Sequence, residues 1–74
     1  MRLNIKFIKK QMKNWNVSQA RVARVLNTGH KTVGKWLEGN TMPSSEYIIK
    51  LTIVFDCSVE DLVLLDPYDI PELL

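Results

Sequence analysis

The sequence predicts an all-α fold, a compact bundle of about five short helices, and three observations carry that prediction. Apolar residues at helical spacing, bounded by cap residues, recur about five times along the chain. Strand signals are almost absent. The chain has only 74 residues, 46% of them apolar, which suits one small compact unit and argues against wholesale disorder.

The first helix is expected from about Asn4 to Asn14, with Ile5, Ile8 and Met12 on one face; Trp15, near the helix end, could extend that face by a turn or stand half exposed. Asn16 suits the left-handed conformation that ends a helix. Ser18 is a good N-cap for a second helix that ends near Leu26 and turns Val22, Ala23 and Leu26 inward. Asn27 and Gly29, in the stretch NTG, can both take positive φ, which makes a tight turn. A third helix follows over about residues 30–38, with Val33, Trp36 and Leu37 on its apolar face. Gly34 interrupts it, although a mid-helix glycine costs roughly 1 kcal/mol relative to alanine.

Pro43 and Ser44 open a fourth helix. Ile48, Leu51, Thr52 and Phe55 form one of its faces, and Tyr47, Ile49, Ile53 and Val54 lie off that face. A helix apolar nearly all round is buried on two sides, so these four residues are expected to form a dimer or partner surface. Ser58 caps a fifth helix in a capping box with Asp61, and Pro67 is expected to stop it. Residues 1–65 are read as one domain and residues 66–74 as a short acidic and apolar tail. Tyr68, Ile70, Leu73 and Leu74 of that tail add apolar surface, which could fold back, close a dimer or bind a protein partner.

Charge divides the chain. Residues 1–40 hold nine Lys or Arg against the single acid Glu38, a balance of +8, whereas residues 41–74 hold Lys50 against seven acids, a balance of −6. A basic half is the electrostatic footprint of a polyanionic partner. Two short helices joined by a glycine turn, with small Ala23 at their crossing and Val33 pointing back into it, form a helix-turn-helix, whose second helix enters the DNA major groove.

The stretch VSQARVARVLNTGHKTVGKWLEGNTMP, together with FDCSVEDLV, resembles the lambda-repressor-like, or Cro-type (XRE), helix-turn-helix family over about residues 4–65. Ser18 and Gln19 match its Ser-Gln pair, Ala23 its small crossing residue, and Trp36, Gly39 and Pro43 its pattern after the recognition helix. The resemblance implies a sequence-specific transcriptional regulator of the repressor type, with Gln19 at a DNA phosphate and base contacts from His30, Lys31, Lys35 and Thr32. Helical geometry independently puts Lys31, Gly34, Lys35 and Glu38 opposite the apolar face. Gly34 would there let the helix approach DNA closely, and Asn40 and Thr41, just beyond the helix, are placed to meet phosphates. Lys31 and Lys35 can each serve guanine or phosphate.

The chain departs from the family at one pair: a glutamate common after the aromatic is Leu37, and its usual arginine partner aligns with Met12. An ion pair replaced on both sides by apolar groups is often neutral or stabilising. Gln11, beside Met12, falls where the family prefers an apolar residue.

Other classes find little support. One histidine and one cysteine do not make a metal cluster, and no cofactor is expected. Cys57 reads as a structural thiol, and nothing supports an enzyme. No apolar run reaches the roughly 20 residues that span a bilayer, and the start MRLNIKFIKKQMK lacks a signal peptide's apolar core, so a cytoplasmic protein with no membrane partner is expected. The expected partners are a double-stranded DNA operator and a second copy of the chain in a homodimer. The alternative is a protein-partner module, such as an antirepressor or antitoxin, acting through the fourth and fifth helices and the tail.

Overall fold

The computed structural model describes residues 1–66. Five helices follow one another: α1 (Ile5–Asn14), α2 (Gln19–Val25), α3 (His30–Leu37), α4 (Ser45–Val54) and α5 (Val59–Leu62). Two short strands, β1 (Arg2–Leu3) and β2 (Val63–Leu64), pair antiparallel, with Arg2 opposite Leu64 and Leu3 opposite Val63. The fold is therefore the expected helical bundle with a two-stranded clasp added.

Local chemistry starts and stops each helix. Asn4 caps α1 by accepting from the Phe7 N–H, and Ser18 caps α2 by accepting from the Arg21 N–H. Ser58 and Asp61 form the reciprocal capping box of α5, so two orphan donors are satisfied at once. Asn16 (φ 53°), Asn27 (φ 55°) and Asp56 (φ 49°) each turn the chain left-handed just after a helix, where asparagine and aspartate tolerate that conformation best among residues with a Cβ.

The core draws on every helix: Leu3, Ile8, Val22, Ala23, Leu26, Val33, Trp36, Ile48, Leu51, Phe55 and Leu62. Ile5, Met12, Leu37, Tyr47, Val54 and Cys57 are half-buried against it. The rings of Trp36 and Tyr47 lie 5.3 Å apart and tilted by 51°, tying α3 to α4, and the Lys50 ammonium sits 5.4 Å from the Tyr47 ring centre.

Several expectations are corrected. Of the two places open to Trp15 the structure shows the half-exposed one, because α1 ends at Asn14 and the indole is 53% exposed. Gly29 has φ −75° and acts as the N-cap of α3, so Asn27 alone supplies the positive φ of the NTG turn. The fifth helix stops at Leu62, because Val63 and Leu64 leave it to pair with β1. On α4, Ile49 and Ile53 are 57% and 75% exposed, whereas Tyr47 and Val54 are half-buried against the core. Pro67, Tyr68, Ile70, Leu73 and Leu74 lie outside the described residues.

Candidate nucleic-acid interface

α2, the NTG turn and α3 form one unit, packed on each other more extensively than any other pair of helices. Val22 and Ala23 on α2 meet the side of α3 that buries Val33 (1% exposed) and Trp36 (4%). The turn is held from within: the Asn27 N–H donates to the Arg24 carbonyl at 3.1 Å and the Thr28 N–H to the Ala23 carbonyl at 2.9 Å. With one face of α3 committed to the core, its other residues face outward. His30, Lys31, Lys35 and Glu38 are exposed, and Thr32 and Gly34 are half-buried.

The electrostatics favour an anion. Neither α2 nor α3 has an acid in its first turn, so the positive helix ends there are not offset. Arg21 and Arg24 on α2 and Lys31 and Lys35 on α3 are all exposed. The lysines of α1, Lys6, Lys9, Lys10 and Lys13, are exposed as well. Glu38, the one acid of this half, accepts a 3.0 Å hydrogen bond from the Asn40 carboxamide.

Sequence reasoning missed an arrangement centred on Gln19. Its Nε2 donates to the His30 carbonyl at 3.1 Å, so the side chain crosses from α2 onto α3. A Cβ at Gly34 would lie 2.9 Å from that nitrogen and 3.8 Å from the Gln19 Cδ. Gly34 thus leaves room for a side chain from the neighbouring helix. Sequence spacing carried no signal for this, because the two residues share no periodic relation.

Asn40 and Thr41 lie just past α3, where Gly39 (φ 79°) turns the chain. Their backbone N–H groups both donate to the Lys35 carbonyl, at 2.9 and 3.4 Å. Those amides are committed within the turn, and the Asn40 carboxamide donates to Glu38. Among the described residues no three His, Cys, Asp or Glu side chains come together in a metal-binding group, and no helix is long and apolar enough to cross a membrane.

A family model described as helix-turn-helix matches residues 8–62, the span that runs from α1 through α5. The chain belongs to the lambda-repressor-like helix-turn-helix family. This helix-turn-helix protein is also similar to a solved structure described as the crystal structure of a transcriptional regulator from Listeria innocua, with a TM-score of 0.75 and 23% identity. The match covers 100% of this chain and 66% of that one, so the chain spans just under two thirds of the neighbour's length. At that identity the likeness is one of fold. No curated protein matches the chain.

Proposed function

We propose that the protein is a small transcriptional regulator that binds double-stranded DNA sequence-specifically, with α3 in the major groove. The observation that carries this reading is the division of α3 into two faces. Val33 and Trp36 are locked into the core against α2, while His30, Lys31 and Lys35 stand exposed on a surface poor in acids. A helix held rigidly with basic groups outward suits base readout in a groove wide enough to admit it.

Lys31 and Lys35 reach guanine edges, with His30 and Thr32 beside them, and the side chains of Asn40 and Thr41 meet the phosphates. Residues 1–65 form the DNA-binding domain, residues 66–74 its tail, and the protein acts in the cytoplasm without cofactor, metal or catalysis. Two copies joined through the exposed Ile49 and Ile53 present two recognition helices about 34 Å apart on a two-fold operator, and occupancy represses by obstructing polymerase.

The test is fluorescence anisotropy on a duplex selected from random DNA and on its scrambled version, over a range of salt. Tighter binding to the selected duplex, with a steep salt dependence, supports the reading. The antirepressor or antitoxin reading draws on the same exposed Ile49 and Ile53. It predicts no DNA retardation and a stoichiometric complex with a protein instead.

A further inference from the structure

We propose that the apolar groove between the start of α4 and the α5–β2 corner is the seat of residues 67–74 of the same chain, PYDIPELL. That segment lies outside the described residues, and the inference stands whether or not the protein binds DNA.

The groove has a volume of about 520 Å³, inside the roughly 300–1,000 Å³ range of sites that bury most of a ligand. Met42, Ile48, Val59, Val63, Leu64 and Leu65 supply most of its wall. Among the described residues Glu60 is the only charged side chain on it. Val59 and Leu65 are 49% and 61% exposed, so apolar surface here lacks a cover within residues 1–66.

The described chain ends at this groove. Leu64 and Leu65 line it and Asp66 follows them, with its Oδ1 3.5 Å from the Arg2 Nε. Residue 67 therefore starts at the rim. Pro67 and Pro71 oppose a helix beyond that point. At about 3.1 Å per residue in an extended, proline-containing segment, eight residues reach roughly 25 Å, enough to return across the groove.

Charge fixes which side of the tail faces which wall. A second hollow shares Met1, Met42 and Leu64 with the groove and carries Arg2 and Lys6. No acid among the described residues lines that hollow. The tail mixes apolar Tyr68, Ile70, Leu73 and Leu74 with the acids Asp69 and Glu72. Its apolar side chains fit the groove, and its acids complement the basic hollow alongside.

The same chain is favoured over a second copy. A segment tethered at the rim meets its site at an effective concentration on the order of millimolar, whereas a second copy must associate from solution. Ile49 and Ile53, on which the dimer reading rests, do not line the groove. Seating the tail leaves that surface open.

The experiment is methyl NMR on the full-length chain, using a uniformly labelled sample and an equal mixture of labelled and unlabelled protein. Cross-peaks are expected from the methyls of Ile70, Leu73 or Leu74 to those of Val59, Leu64 or Leu65, within one chain. Ile70→Asp and Val59→Asp should each abolish them. Val59 opens α5, where an added acid suits the helix start, so α5 should remain formed. Ile53→Asp, away from the groove, should leave them intact. Thermal melts of all variants run alongside.

A wild type without tail-to-groove cross-peaks would overturn the proposal. Cross-peaks seen only between labelled and unlabelled chains would overturn it too, and would seat the tail in a second copy. A folded Val59→Asp protein that keeps every tail contact would show that the tail lies elsewhere.

Discussion

Asn4 and Asp61, 57 positions apart, are joined by a 3.1 Å hydrogen bond from the Asn4 carboxamide nitrogen to the Asp61 backbone carbonyl. The oxygen of the same carboxamide caps α1 at the Phe7 N–H, 3.3 Å away, and the Asn4 N–H donates to the Leu62 carbonyl at 2.7 Å. One residue thus starts the first helix and holds the last. Asn4→Ala removes both side-chain bonds and is expected to cost about 1–2 kcal/mol. Asn4→Asp keeps the cap acceptor, loses the donor and should cost less. Urea melts measure both, and an Asn4→Ala protein as stable as wild type would refute the link.

The Cys57 thiol is half-buried, and its pKa is raised, first by burial and then by the negative charges of Asp61 and Asp56. The thiolate is the reactive form, so Cys57 should alkylate more slowly than free cysteine at pH 8. Asp56→Asn removes one negative charge, keeps a residue tolerant of the left-handed backbone, and should speed the reaction. Rates with iodoacetamide across pH provide the check: the wild-type profile should lie at higher pH than that of free cysteine, and a coincident profile would contradict the assignment.

Met12 and Leu37 both lie half-buried against the core, on α1 and α3. Leu37→Glu puts a carboxylate into that partly desolvated position and should destabilise by about 2 kcal/mol. Adding Met12→Arg should restore part of the loss if the two residues are partners. Denaturant melts of both single variants and the double variant decide it, with strictly additive losses showing that they are not.

Ile53 is 75% exposed on α4, one turn from the exposed Ile49. Sedimentation of the wild type at micromolar concentration is expected to show a dimer. Ile53→Asp should weaken that dimer without altering the melting of the monomer, since little of this side chain contributes to the fold. A wild type that stays monomeric even on DNA would exclude this surface as a dimer interface.

Lys31→Ala and Lys35→Ala should each reduce affinity for a selected duplex by about 1–3 kcal/mol if they read bases, with relaxed preference at one position per half-site. A lysine that meets phosphate instead lowers affinity for all sequences alike and makes the salt dependence shallower by about one unit per site. Anisotropy at several salt concentrations separates the two. Folded variants that bind like wild type would take α3 out of the interface.

What could be read from the sequence was local. The Ser18 cap, the Ser58–Asp61 box and the left-handed Asn16 and Asn27 each depend on residues within a few positions, and all are present. The inward set Val22, Ala23, Leu26, Val33 and Trp36 followed from helical spacing and is buried. The strands were not legible, because two residues cannot display an alternating pattern and their pairing joins opposite ends of the described chain. For Trp15 helical spacing left both an inward and a half-exposed place open, and the helix end at Asn14 decides for the second. The outward, basic side of α3 was legible as a set of residues, His30, Lys31 and Lys35. The closeness of Gly34 to Gln19 was not, since that side chain comes from another helix.

The pairing of β1 with β2 makes the domain nearly a ring. Arg2 Nε lies 3.5 Å from Asp66 Oδ1, so the two ends of the described chain are within side-chain reach of each other. A short flexible linker joining residue 66 to residue 1 would close the circle, and new ends could then be opened at exposed Asp56. The permuted chain would run from α5 through β2, the linker, β1, α1, α2 and α3 to α4. The α2–turn–α3 unit would remain unbroken, so the order of the helices along the chain could change without disturbing the exposed basic side of α3.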